Sequence, residues 1–129
     1  MTRYRADAML GVVQWTVEFS NEVREWYVAL SPEGKAATQR IVARLETQGH
    51  MLGMPHSRQL GDGLRELRFT CEGVARRITY VLDPERTAVT LTTFRKQRNN
   101  ERGEVLRARR AQAKHEAARQ DETKRRKNR

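Results

Sequence analysis

Leu64-Arg65-Glu66-Leu67-Arg68-Phe69, Arg76-Arg77-Ile78-Thr79-Tyr80-Val81-Leu82 and Val89-Thr90-Leu91-Thr92-Thr93-Phe94-Arg95-Lys96 are three short runs in which cations alternate with apolar residues. Strand side chains alternate between faces with period two. If Leu67/Phe69, Ile78/Tyr80/Leu82 and Val89/Leu91 all face the core, parity puts Arg68, Arg77 and Lys96 on the opposite face. The reading predicts a small sheet with a cluster of fixed positive charge on its open side, suited to gripping phosphates. Arg76 shares the parity of Tyr80 and falls at the rim.

Glu72-Gly73 and Asp83-Pro84-Glu85-Arg86 separate the runs, and the second has type I turn chemistry. Short sequential strands with such connections make an antiparallel meander. Upstream, Val13, Trp15, Val17 and Phe19 alternate with polar residues, the pattern of an edge strand. Ser20 is a candidate helix N-cap, followed by Val23, Trp26, Tyr27 and Leu30 at helical spacing. Ser31-Pro32-Glu33 starts a second helix with the stripe Ala37, Ile41, Val42 and Leu45, which Gly49 ends. Residues 50–63 read as the longest irregular connection. Beyond Asn100 the composition predicts a basic helix from about Glu101 that frays after about His115, with Asp121 to Arg129 disordered. The order β-α-α-β-β-β-α is an α+β domain, with the helical hairpin against one face of a single sheet.

The domain spans 14–113. Residues 1–13 read as a flexible extension, with Met9 as another candidate start, and 114–129 as a basic disordered tail. Charge divides at an earlier point. Residues 14–94 carry ten basic and ten acidic side chains, whereas 95–129 carry a net charge of +9. Such a segment concentrates polyanions. It lacks the apolar face of an interfacial helix, and no run is long enough to span a membrane, so no membrane partner is expected. Cys71, the single cysteine, excludes an intrachain disulfide and a thiolate metal cluster, and fits a cytoplasmic location. No metal and no small-molecule cofactor are expected.

The chain resembles RelE/ParE superfamily toxins, specifically the phage-derived HigB-like branch. The resemblance rests on Trp15 to Phe19 leading into an amphipathic helix, and on Ser57-Arg58-Gln59-Leu60-Gly61-Asp62-Gly63-Leu64 followed by Glu66-Leu67-Arg68. Arg77-Ile78-Thr79-Tyr80 running into Asp83-Pro84 also carries it, as does Phe94-Arg95-Lys96 before a helix with Glu104 and Ala108. The resemblance implies a RelE-like fold, a ribosome-dependent endoribonuclease that cleaves mRNA, and a helix-turn-helix (HigA-like) antitoxin. After Lys96 the chain departs from the branch: Gln97, Arg98, Asn99 and Asn100 stand where a second lysine and a Thr-Pro-like helix start are usual.

Metal-free RNA cleavage needs deprotonation of a 2′-hydroxyl, stabilisation of the phosphorane charge and protonation of the leaving 5′-oxygen. Arginine forks match phosphate bidentately, so Arg68 and Arg77 suit an anion clamp. Lys96 suits proton transfer if neighbouring arginines and partial burial disfavour its ammonium. Arg65, Arg76, Arg95, Arg98 and Arg102 are candidate RNA contacts. Plain structural readings stand beside these: strand arginines pair with acids such as Glu66, and Tyr80 is packed rather than catalytic. His50 and His56 are loop residues, with His56 an outside candidate for acid–base work. Cys71 sits in a hairpin turn, and Trp15, Trp26 and Tyr27 are core aromatics. The C-terminal arginines form a solvated helix face, a ribosomal RNA contact or an antitoxin-docking surface. Competing functions are a ParE-type topoisomerase poison and a non-catalytic binding module, a decayed toxin.

Overall fold

The computed structural model describes residues 14–128. The expected extension over 1–13, including Val13 and Met9, lies outside the described residues. Strand β1 (Thr16–Glu18) leads into helices α1 (Asn21–Val28) and α2 (Pro32–Gln48), followed by a 3-10 turn, Gly49–Met51. Four strands follow: β2 (Ser57–Gly61), β3 (Leu64–Cys71), β4 (Val74–Asp83) and β5 (Thr87–Arg95). Helix α3 (Glu101–Lys127) ends the fold. The architecture is the expected α+β domain, consistent with a RelE-like fold.

Both helix starts form as their residues dictate. Ser20 Oγ accepts from Val23 N at 3.2 Å, and Ser31 Oγ accepts from Gly34 N at 3.1 Å, with Pro32 opening α2. Gly49 ends α2 with φ +51°, and a Cβ there would lie 1.8 Å from Nε1 of the Trp15 indole. Only glycine fits both the backbone and the overlying ring.

Five strands lie in the order β1-β5-β4-β3-β2, with β1 parallel to β5 and the other pairs antiparallel. Strand β2 corrects the reading of 50–63 as irregular. Asp62-Gly63 turns β2 into β3 with both residues at positive φ, the Asp-Gly hairpin chemistry that a count of glycines hides. The second turn differs too: Glu85 and Arg86 both take positive φ, which a type I turn excludes.

The sheet is covered on both faces, not one. Val23, Ile41, Leu45 and Leu52 pack with Leu67, Ile78, Tyr80 and Ala88 on the hairpin face. Leu64, Val81 and Leu91 pack with Ala108 of α3 on the other, with Val89 beside them. Val89 and Leu91 thus face away from the hairpin core, contrary to the parity argument. Helix α3 also runs unbroken to Lys127 instead of fraying after His115. His115 Nε2 meets Asp83 Oδ2 at 2.7 Å, and Glu122 pairs with Arg125 and Arg126 one turn on. No helix among the described residues is long and apolar enough to cross a membrane.

A bulge in β5 restores what that parity error would have cost. Between the pairs Tyr80↔Thr90 and Ile78↔Thr93, β4 advances two residues and β5 three. Side chains beyond it change face, so Phe94 and Lys96 join Arg77. Strand β1 pairs only with residues 87–89, leaving the outer edge of β5 open above them. Side chains close it. Ser20 Oγ donates to Leu91 O at 2.9 Å, Thr93 N donates to Glu22 Oε2 at 2.8 Å, and Arg107 Nη2 donates to Thr93 O at 3.1 Å. Arg107 Nη1 and Glu22 Oε1 lie 2.6 Å apart, tying α3 to α1 across this edge. Arg107→Ala is expected to lower unfolding stability by about 2 kcal/mol, since hydrogen bonds to charged groups each contribute roughly 1.5–3 kcal/mol. Urea denaturation measures it, and no loss would contradict the clamp.

Candidate active site

Strand pairing builds one patch on the α3 side of the sheet, at the end where α3 begins. Arg58 of β2 pairs with Glu66 of β3, Glu66 with Thr79 of β4, and Arg68 with Arg77. Lys96 N donates to Ala75 O at 2.8 Å, extending the ladder one residue past β5. Arg68, Arg77 and Lys96 therefore occupy one face, as parity anticipated, although through the bulge.

The centre of the patch is a carboxylate. Glu66 is fully buried, with Arg68 Nη1 at 3.4 Å and Arg77 Nε at 3.9 Å from its Oε2. Its Oε1 and Arg77 Nε are buried without hydrogen-bond partners. Arg58 Nη1 lies 3.5 Å from Glu101 Oε1 of α3. Three guanidinium groups thus face two carboxylates. Burial pushes the Glu66 carboxyl above the ordinary carboxylate range, against the pull of Arg77 and Arg68. Burial also lowers the Arg77 guanidinium, and Arg68 beside it adds to the effect. Arg77 is 8 % exposed, whereas the Arg68 side chain keeps a quarter of its surface open. Arg68 can reach a phosphate, and Arg77 is foremost the partner of Glu66. Lys96 is half-buried, its ammonium donating to Gln97 O at 2.9 Å.

The other expected contacts scatter. Arg65 pairs with Tyr80 on the hairpin face and donates to His50 O at 3.3 Å. Arg76, on that face too, stacks over Trp26 at 5.0 Å and pairs with exposed Arg95. Arg98 and Arg102 are exposed, in the connection to α3 and in its first turn. Tyr80 is fully buried among the hairpin residues, its hydroxyl 2.5 Å from Ser57 Oγ, and burial raises its phenol. It belongs to the core, on the far side of the sheet. His56 accepts from Arg68 N at 2.9 Å through its backbone, and alternation along β2 puts it on the face of Arg58. Cys71 ends β3 buried, not in the turn, and donates to Gly34 O at 3.6 Å.

Glu66, Arg58 and Glu101 were missing from the expected site. The signal for Glu66 was present, because a residue two before Arg68 on a strand shares its face. Arg58 was hidden by the loop reading of β2.

The phage-derived Gp49-like family model (DUF891) matches residues 25–119, more than half of the chain. The chain belongs to this family. The Gp49-like family is a RelE/ParE-like toxin family associated with toxin–antitoxin systems, which points to an antitoxin as partner. No curated protein matches the chain. The match covers α2, every strand from β2 to β5 and the part of α3 that packs on the sheet, so the whole charged patch lies inside the Gp49-like region.

A carboxyl whose folded pKa is raised binds protons more tightly in the folded chain, so its contribution to stability falls as pH rises. Relative to Glu66→Gln, the native protein should lose stability as pH climbs from the ordinary glutamate range to the raised value. Denaturant titrations of both proteins from pH 4 to 7 measure it, and a constant difference would contradict the assignment. Arg77→Ala, which strips a buried charge of its partner, should cost about 3 kcal/mol, the low end for such pairs because Glu66 can take up a proton.

Proposed function

We propose that this Gp49-like protein is a toxin of the HigB-like branch, a ribosome-dependent endoribonuclease that cleaves mRNA and inhibits translation. The observation that carries the reading is the gathering of Arg68, Arg77 and Lys96 on one face, at the end of the sheet beyond the α3 core. Arg68 clamps the scissile phosphate, and Arg77 reinforces the positive field while its pairing with Glu66 fixes the height of Arg68 on the sheet. Lys96 is the proton-transfer group, its nitrogen taking the proton of the 2′-hydroxyl as the 2′-oxygen attacks phosphorus. The ammonium so formed returns that proton to the 5′-oxygen as the P–O5′ bond breaks. Products are a 2′,3′-cyclic phosphate and a 5′-hydroxyl end, with no metal or cofactor required. Arg58, Arg98 and Arg102 line the approach for the RNA strand. The inhibitor is a helix-turn-helix antitoxin whose acidic segment covers the patch, and the setting is the cytoplasm, where translating ribosomes are.

The pairing of Arg77 with Glu66 favours a second reading. Half-neutralised arginines suit a binding surface, and a ParE-type topoisomerase poison needs no cleavage chemistry. Primer extension on translated and untranslated copies of one message, after induction, separates the two. New ends confined to the translated copy, lost in Lys96→Ala at equal protein level, are expected. Intact messages accompanied by DNA breaks would move the protein to the topoisomerase class.

A further inference from the structure

Helix α3 has two faces with different tasks. Val105, Ala108, Ala111, Gln112 and His115 turn toward the body, where Gln112 Nε2 donates to Asp62 O at 2.8 Å. Steps of about 100° per residue set Arg102, Arg110, Ala113, Lys114, Ala117 and Lys124 on the opposite side. All six are exposed, as is every described residue from Glu116 to Asn128. Asp121 is the acid on that side. At the end, Lys124, Arg125, Arg126 and Lys127 point in four directions around the last turn, so the tip is cationic whatever side approaches it.

We infer that the outer face and tip of α3 form a docking surface for double-helical RNA. The stripe from Arg102 to Lys124 spans roughly 33 Å at about 1.5 Å per residue, a length over which a duplex presents successive phosphates of both strands. Between the cations stand Leu106, Ala113, Ala117 and Gln120, and the two alanines let the helix axis come close to a backbone. A protein-docking helix would present apolar or aromatic anchors, and protein interface cores are poor in lysine. Leu106 is the one large apolar side chain exposed on this helix, and it stands singly on the outer face among Arg102, Arg110, Lys114 and Lys124, so a polyanion fits better than a folded protein. Double-helical RNA is chosen over DNA on the strength of the ribosomal reading above: the stripe would hold ribosomal RNA while the patch of Arg68 and Lys96 reaches the message.

The test is fluorescence anisotropy of the full-length protein with a 16-base-pair RNA duplex across a salt series. Two variants are compared with it: Arg110→Gln/Lys114→Gln/Lys124→Gln/Arg125→Gln, and the charge-preserving Lys114→Arg/Lys124→Arg. The quadruple variant should bind at least tenfold more weakly, with a log–log salt slope shallower by about 3.6, near 0.9 for each of four lost phosphate contacts. The charge-preserving variant should match the native protein. Unchanged affinity and slope in the quadruple variant would overturn the inference. Tighter binding of poly-glutamate would overturn it in favour of an acidic protein, and tighter binding of the same-sequence DNA duplex would overturn the choice of RNA. The duplex assay requires neither translation nor cleavage. Duplex binding without message cleavage would sink the nuclease reading alone, and cleavage without duplex binding would sink this inference alone.

Discussion

The candidate site depends on how the open edge of β5 is closed. Strand β1 is three residues long and covers only the first residues of β5. Above it, backbone groups that a longer strand would have paired are taken by Ser20, Glu22 and Arg107. A bare sheet edge invites pairing with other chains, and side chains that occupy its donors and acceptors remove the invitation. The same clamp sits at the bulge. Thr79 and Thr92 hydroxyls lie 2.6 Å apart there, so the extra residue is satisfied on both its edge and its face. Because the bulge reverses the parity of everything after it, Lys96 stands with Arg77 instead of with the hairpin core.

This arrangement joins two demands that conflict in a simple strand. The lower half of β5 must put Val89 and Leu91 under α3 to bury an apolar seam with Ala108. The residues beyond the bulge must put Lys96 on that same face, beside Arg77. Without a bulge, Leu91 and Lys96 could not share a face, since odd and even positions oppose each other. Burying Glu66 beneath the cations adds a second device. A carboxylate removed from water is costly unless compensated, and Arg68 and Arg77 compensate it in part, at the expense of their own freedom. The arginines are thereby held in place by the fold itself.

The sequence was legible where local chemistry acts alone. Ser20, Ser31-Pro32 and Gly49 mark helix ends by their own hydrogen bonds and backbone preferences, and the strand order of the meander follows from short turns. It was misleading where long-range context decides. Alternation of Val89 and Leu91 is the same whether they meet α1 and α2 or α3. A bulge leaves no local mark in Thr90 to Thr93, and the group that takes the Thr93 amide there, Glu22, is 71 residues away. Strand β2 was obscured by its own flanking glycines. The end of α3 was judged by its lack of apolar residues, while its anchors are the polar contacts of His115 and Arg119 with Asp83.

The register between β4 and β5 carries the whole argument from strand to site, and cross-strand proton contacts in solution NMR test it most directly. The account predicts that Ile78 faces Thr93 and Arg77 faces Phe94 across the ladder, with Tyr80 still opposite Thr90. Contacts of Ile78 with Thr92 and of Arg77 with Thr93 would show an unbroken ladder. Lys96 would then lie on the hairpin face, apart from Arg68 and Arg77, and the site described here would not exist.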